Sequence, residues 1–353
     1  MNIPLDASAA SNEATYFIAD IAANHDGSLE RALELIKLAA DAGANAAKFQ
    51  NFRAETIVSR RGFKELGMKL THQAKWENEV FDVYDAAALP IEWTEALIEE
   101  CEKNEIDYFT APYDLGYIDF FADKMPFFKV GSGDITWKQS LERMGSFGKP
   151  ILLATGASDL EEVEKAVALI AEFEIPIILM QCNTNYTGGD DNFDYINLRV
   201  LESFKVKFPG VVLGLSDHSK GYVAVLGAVA LGARAIEKHF TDDTSRRGPD
   251  HGFSLDPKTW REMVDATRIL ERSLGDGVKR VELNEIDARI VQRRALRYLN
   301  DLEAGHTLLE TDLIALRPCP SEGLSPFEIE NIVGRKVIRN VEQDQLVRVE
   351  DFL

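Results

Sequence analysis

Two histidines and two lysines stand out, because each follows directly on a short apolar run. His218 sits in GLSDHSKG and His239 in EKHFTDD, at the ends of consecutive β-rich runs. Adjacent strands lie about 5 Å apart, so both imidazoles can reach one ion. Two neutral nitrogens with open positions suit a first-row divalent ion such as Mn, Co, Fe or Zn. The alternative is a pair of hydrogen-bonded wall histidines, and the polar residues around them favour the ion. His25 and His251 lie beside expected mouth residues with a weaker claim on it, and His72 and His306 carry no signal. Lys48 in AAKFQ and Lys129 in FFKVG have apolar neighbours, where an ammonium is costly to bury unless it meets an anion. Converging with Thr110, Ser132 and Ser216, they read as a cradle for phosphate or carboxylate, with a structural salt bridge as the rival. Gly131 and Gly133 around Ser132 permit close backbone approach to a ligand. Asp250, in RGPDH, either binds hydroxyls or caps a helix. Arg246 and Arg247 beside it either bind a substrate phosphate or stay solvated.

These residues need a scaffold that gathers strand ends. Eight β-rich runs recur, at Tyr16 to Ile21, Ala46 to Phe49, Tyr108 to Thr110, Phe127 to Val130, Ile151 to Ala154, Pro176 to Met180, Val211 to Leu215 and Arg234 to Phe240. Helical patterns separate them. After the first run, Leu29, Ala32, Leu33, Ile36 and Ala40 repeat at three and four residues between an N-cap at Ser28 and a stop at Gly43. After the fifth, Ser158 and Glu161 predict a capping box. Strand followed by helix, eight times, predicts an α/β fold, a parallel (β/α)8 TIM barrel with its active site at the carboxyl ends of the strands. No Gly-rich dinucleotide fingerprint follows the first strand, which disfavours an open doubly wound sheet. The predicted domains are a barrel over 1–278, a polar linker over 279–291 and a small, mostly β domain over 292–353. In that last segment Thr311-Asp312-Leu313 and Glu350-Asp351-Phe352 form a weak internal echo.

Composition narrows the partners. The 353 residues carry 59 acidic against 39 basic side chains, net −20, which opposes nucleic acid. No run approaches the roughly 18 apolar residues of a membrane span. Ala224 to Ile236 is interrupted by Arg234, and the first dozen residues lack the basic start and apolar core of a secretory signal. Three scattered cysteines fit neither a disulfide framework nor a thiolate site, and a cytoplasmic location is expected.

Taken in order, YFIADIAANHDGS, AKFQNF, FTAPYD, FKVGSGD, ATGAS, GLSDHSKG, EKHFTDD and GPDHGFSLDP resemble the sialic acid synthases. RRALRYL, ALRPCPSEGLSP and VGRKV resemble the antifreeze-like (SAF, β-clip) domain of the same family. The match covers nearly the whole chain. It implies condensation of phosphoenolpyruvate with an N-acylated amino sugar, N-acetylmannosamine or an analogue, and release of phosphate. It further implies a divalent ion at His218 and His239, Mn2+ first with Mg2+ or Co2+ as substitutes. Phosphoenolpyruvate would be held by Lys48, Lys129, Thr110, Ser132 and Ser216. The sugar would meet Gln50, Tyr186 and Asp250, with Asp134 also counted at the substrate. Arg317, in the RP motif of the tail, would reach the barrel of a partner chain in a domain-swapped homodimer. Asp20 is expected to orient the sugar or manage protons. It stands where the family carries a longer glutamate, and Tyr186 is followed by Thr187 instead of proline. Three rivals stay open: a 3-deoxy-ulosonate phosphate synthase, a metal-dependent pyruvate aldolase and a non-catalytic sugar-binding relative.

Overall fold

Strands of a closed parallel barrel are covered on both sides, so they must be apolar along nearly their whole length. The eight runs meet that condition. In a computed structural model, which describes residues 3–7, 13–68, 73–74, 76–186 and 189–352, they form β1 (Tyr16–Asp20), β2 (Ala46–Asn51), β3 (Asp107–Pro112), β4 (Phe128–Val130), β5 (Ile151–Ala154), β6 (Ile177–Cys182), β7 (Val212–Asp217) and β8 (Ala235–His239). All ladders are parallel, in the order β3-β2-β1-β8-β7-β6-β5-β4, and β3 and β4 pack side by side to complete the ring. The observed α/β barrel is the expected one.

Register decides what the rim can do. Asp20 pairs with Lys48 on one side and with His239 on the other, while Ser216 pairs with Glu237 and Cys182 with Ser216. Alternation along β8 then turns Glu237 and His239 to one face and Lys238 to the other. Lys238 Nζ accordingly meets Asp217 Oδ2 at 2.7 Å and the Ser219 carbonyl at 2.7 Å, a buried clamp between the ends of β7 and β8.

The helices start where side chains can accept orphan amides. Ser28 caps Leu29–Asp41, taking the Arg31 amide at 3.3 Å, and the helix buries Ala32, Leu35, Ile36 and Ala39. Leu33 and Ala40, expected on that face, are only half-buried. The capping box of Leu160–Ala171 falls one residue later than the sequence suggests, between Asp159 and Glu162. Ser158 instead donates to the Gly156 carbonyl, which leaves the ionised Asp159 as the stronger acceptor.

Contacts divide the chain into Met1–Gly275 and Asp276–Leu353. In the second unit β9 (Ala295–Tyr298) and β10 (Leu313–Leu316) pair antiparallel over a core that includes Leu296, Leu308, Val337 and Val347. The polar stretch expected as a linker contains a short helix, Ile286–Gln292. The internal echo is a repeated turn: Asp312 accepts from the Leu309 amide and Asp351 from the Arg348 amide, both at 2.8 Å, within matching 3-10 turns. Asp351, fully buried, also accepts from Tyr298 Oη at 3.1 Å and Arg339 Nη2 at 2.5 Å. Among the described residues no helix is long and apolar enough to cross a membrane.

Removing that carboxylate leaves the buried Tyr298 hydroxyl and the Arg348 amide without their acceptor and unpairs the exposed Arg339 guanidinium. Asp351→Ala is expected to cost the tail about 2 kcal/mol, through the unsatisfied Tyr298 hydroxyl and Arg348 amide. Hydrogen exchange read by mass spectrometry should show lost protection across 295–352 while the barrel stays protected. Unchanged protection of the tail would refute the role given to Asp351.

Candidate functional site

The rim gathers two carboxylates and two ammoniums out of water. Asp20 Oδ2 contacts Lys48 Nζ, accepts from Gln50 Nε2 at 3.1 Å and lies 3.5 Å from His239 Nε2. Its Oδ1 accepts the Ala22 amide at 3.1 Å. Glu237 Oε1 accepts from Ser216 Oγ at 2.9 Å and sits 3.5 Å from both Lys48 Nζ and Lys129 Nζ. Lys129 also donates to the Val130 carbonyl at 3.1 Å. All four ionic side chains are at most 5% exposed.

Burial opposes every one of these charges, and the neighbours decide which survive. For Glu237, the attraction of Lys129 and Lys48 outweighs burial and brings the carboxyl down to about 2. Lys48 is raised, since Asp20 and Glu237 outweigh its burial. Lys129 is lowered by burial, with Lys48 adding repulsion, so it is the cation most in need of an anion. Asp20 is raised by burial and by Glu237 against the pull of Lys48.

Beside this cluster, the rings of His218 and His239 lie 5.3 Å apart, packed on Tyr186 and Phe253. His218 Nδ1 donates to the Asn183 carbonyl at 2.9 Å, which fixes its tautomer and leaves Nε2 with a lone pair. Burial, then repulsion from the other imidazole, lowers His218 to about 3. Burial, then Lys48, lowers His239 to about 3. Both rings are therefore neutral, the state a metal ligand requires. His239 Nδ1 is buried with no hydrogen-bond partner. Among the described residues no three His, Cys, Asp or Glu side chains group to hold an ion. The fit is to a two-imidazole donor set whose remaining positions go to water or substrate.

One cavity of about 440 Å³ joins these groups. Of the residues expected from sequence, Asp20, Lys48, Gln50, Lys129, Ser132, Asp134, Tyr186, Ser216, His218, His239 and Asp250 line it. Thr110 is elsewhere: its Oγ1 donates to Asn51 Oδ1 at 2.7 Å, within the wall between β2 and β3. Arg317 belongs to the second unit. His251 is held by Thr241 Oγ1 at 2.7 Å and Asp26 Oδ1 at 2.9 Å, and His25 Nδ1 accepts the Gly27 amide at 3.1 Å. Both serve the loops that follow β1 and β8. Gly131 lines the cavity and also makes room for Tyr113, since a Cβ there would lie 2.8 Å from Tyr113 Oη.

Glu237 was not singled out by sequence, although it stands two residues before His239 and so shares its face. The lining residues Phe52, Trp76, Tyr84 and Tyr113 carried no signal of spacing. Burial raises Asp134 to about 6 against the pull of Lys129. Burial raises Asp250 to about 7, with Asp20 adding repulsion, although its Oδ2 accepts the Ala23 amide at 3.1 Å.

Comparison with known proteins gives two family matches: the NeuB family over residues 35–279 and the SAF domain over 293–353. The chain is 32% identical to the N,N'-diacetyllegionaminic acid synthase of Campylobacter jejuni, over 95% of this chain and 99% of that protein. It is 29% identical to the human N-acetylneuraminate-9-phosphate synthase, over 95% and 92% of the two chains. A solved N-acetylneuraminic acid synthetase from Leptospira borgpetersenii, in complex with citrate, superposes with TM-score 0.68 at 30% identity, covering 78% of this chain and 90% of that one.

Asp250 offers a stability test of the rim. Its folded-state proton is held more tightly than in the unfolded chain, so folding takes up a proton between about pH 4 and about pH 7. The resulting stability is present below that window and is lost as pH rises through it. Asp250→Asn should therefore raise Tm at pH 8 by a few °C and leave it nearly unchanged at about pH 3, below the whole window. Scanning calorimetry showing equal effects at the two pH values would contradict the assignment.

Proposed function

The chain belongs to the NeuB family and carries a SAF domain, and from that premise we propose that it condenses phosphoenolpyruvate with the aldehyde of an N-acylated amino sugar, yielding a nonulosonic acid and inorganic phosphate. The observation that carries this reading is the shared cavity of Lys48 and Lys129, facing Glu237, with the neutral imidazoles of His218 and His239 beside them.

Lys129 and Lys48 hold the phosphate and carboxylate of phosphoenolpyruvate, helped by the hydroxyls of Ser132 and Ser216. An incoming anion offsets the burial that opposes the Lys129 ammonium. A divalent ion, Mn2+ in our reading, would be held by His218 and His239 and supplies Lewis-acid polarisation of the aldehyde oxygen. Gln50, Tyr186 and Asp250 orient the sugar so that its C1 faces C3 of phosphoenolpyruvate. As the C3–C1 bond forms, positive charge develops at C2, close to the ionised Glu237, whose fixed charge stabilises it. Water adds at C2, and the tetrahedral carbon expels phosphate by C–O cleavage to leave the ketone. The proton that this water loses balances the one gained by the former aldehyde oxygen. Asp20, raised by burial and set between Lys48, Gln50 and His239, is placed to carry it.

The tail completes the sugar site in our reading. Arg317, from the partner chain of a domain-swapped homodimer, contacts the sugar's acyl group. A cytoplasmic setting fits the three cysteines, all free.

Phosphate release from phosphoenolpyruvate that requires both an N-acylated amino sugar and a divalent ion tests the reaction. Release supported only by a phosphorylated aldose, or sugar binding without turnover, would overturn it. His218→Ala and His239→Ala should each lower kcat by about 100-fold or more and weaken Mn2+ binding by calorimetry. Arg317→Ala should raise the sugar KM and spare that of phosphoenolpyruvate. If the partner supplies Arg317, mixing His218→Ala chains with Arg317→Ala chains should restore about a quarter of wild-type activity, because half the dimers then hold one intact site. No gain on mixing would exclude the swap.

A further inference from the structure

Two loops that supply one side of the cavity are clasped together by a buried histidine that does not line it. Ala22 and Ala23, after β1, and Pro249 and Asp250, in the loop after β8, all line the cavity. His251, next to Asp250, is fully buried and outside the lining. Its Nε2 lies 2.9 Å from Asp26 Oδ1, and its Nδ1 lies 2.7 Å from Thr241 Oγ1. A ring with a partner on each nitrogen cannot turn without losing one of them. The fit around it is close, because a Cβ on Gly248 would lie 2.6 Å from His251 Cδ2. Asp26 meets the ring from a left-handed turn, with φ of 49° followed by 73° at Gly27, and its other oxygen lies 3.1 Å from Arg31 Nε and 3.5 Å from Arg246 Nη1. Arg246, whose place beside Asp250 in sequence suggested a phosphate contact, is engaged in this turn and does not line the cavity.

The clasp has two tiers. Nearer the strands, Asn24 Nδ2 donates to the Phe240 carbonyl and to Ser254 Oγ, both at 2.9 Å. The Leu255 amide donates to the His239 carbonyl at 2.9 Å, and the Phe240 amide to the Asp20 carbonyl at 2.9 Å. The backbone that carries the His239 ring is therefore fixed without His251. Farther out, Arg31 Nη1 holds Asp242 Oδ2 at 2.7 Å at the start of the β8 loop, and Asp250 stands at its far end. There the Asp250 carbonyl accepts from Ser254 Oγ at 2.7 Å, and Oδ2 accepts the Ala23 amide at 3.1 Å. The residue that ties this end to the tip of the β1 loop through a buried side chain is His251.

We infer that His251 is a positioning residue for the Asp250 carboxyl, acting through Asp26 and Thr241, while the inner tier alone serves the ion ligands. This rests on the synthase reading, in which Asp250 orients the sugar, and adds a residue that touches neither substrate nor ion. Asp250 leads directly into the short turn His251–Phe253, so the direction of its side chain follows the placement of the His251 ring. Loss of the ring's two polar contacts frees the turn to rotate and carries the carboxyl away from the Ala23 amide. A shift of about 1 Å in a group that orients a reacting partner is enough for a large loss. Lys48, Lys129, His218 and His239 stand on strand ends or directly after them and keep their places.

The test is a split among kinetic and binding constants. His251→Phe keeps an aromatic ring and loses both polar contacts. It should raise the KM of the N-acylated amino sugar, N-acetylmannosamine or the analogue the wild type uses, by about 10-fold or more. The KM of phosphoenolpyruvate and the calorimetric Kd of Mn2+ should keep their wild-type values. Hydrogen exchange should quicken at 22–28 and 242–256 and not in β1 or β8. Asp26→Ala should reproduce the effect, and Asp26→Asn, which keeps an acceptor for Nε2, should restore most of the loss. Gly248→Ala crowds the ring from an exposed position and gives a second route to the same displacement if His251→Phe does not fold. An unchanged sugar KM in the folded variants would overturn the inference. So would equal losses in phosphoenolpyruvate and Mn2+ binding, the mark of a merely structural residue, or an Asp26→Asn chain no better than Asp26→Ala. A wild-type chain that releases no phosphate with any N-acylated amino sugar would instead overturn the synthase reading, and this role with it.

Discussion

Everything at the rim depends on four charges that the barrel register forces together without water. Asp20, Lys48, Lys129 and Glu237 sum to zero, but unevenly: Lys48 meets both carboxylates, whereas Lys129 meets only Glu237 and shares it with Lys48. A strand slipped by one residue would turn its side chain outward and leave its partners as unpaired buried ions. Burial is therefore tolerable only in this register, and the same register leaves Lys129 underpaired. That shortage supports the anion site we propose in a protein whose net charge is −20.

The same arithmetic explains why the imidazoles are neutral. Burial dominates at both rings, Lys48 adds repulsion at His239 and His239 adds it at His218, and together these outweigh the opposing pull of Glu237. A chain with a single lysine at the rim, or with the histidines nearer the surface, would protonate them more readily and lose lone pairs. In the proposed reaction the anion cradle and the ion-binding pair would thus be coupled: the cations that receive one substrate would also help keep His218 and His239 neutral. The Asp217–Lys238 clamp, on the other face of the same two strand ends, holds the backbones from which both rings project.

Much of this was legible in the sequence because strand ends announce themselves. AAKFQ and FFKVG place a lysine after apolar residues, and the only reason to accept that cost is an anion nearby. SDH and EKH end consecutive strands, so adjacency in a closed barrel follows from order alone. Glu237 could have been found by the same alternation. Thr110 illustrates the limit: it lies in the right strand, but a hydroxyl has no charge to betray its direction, and it turns to Asn51. The aromatic lining at Phe52, Trp76 and Tyr84 was beyond reach for a different reason. It comes from an insertion of short helices between β2 and β3, where no period constrains which side chains face inward. Local competition moved one cap as well, since Ser158 had a carbonyl to bond and Asp159 had none.

The shortened carboxylate at Asp20 bears on how far the family chemistry can be carried to this chain. A loss of one methylene would matter if the group had to reach across the mouth. Here Asp20 sits level with Lys48 and His239 in the two neighbouring strands, and Gln50 comes to it from one alternation further along β2. The carboxylate therefore touches its partners from within the wall, and its other oxygen is fixed by the Ala22 amide, at a residue with φ of 44°. Reach has been exchanged for anchoring. The group is held beside His239, which suits the proton-passing role we propose for it.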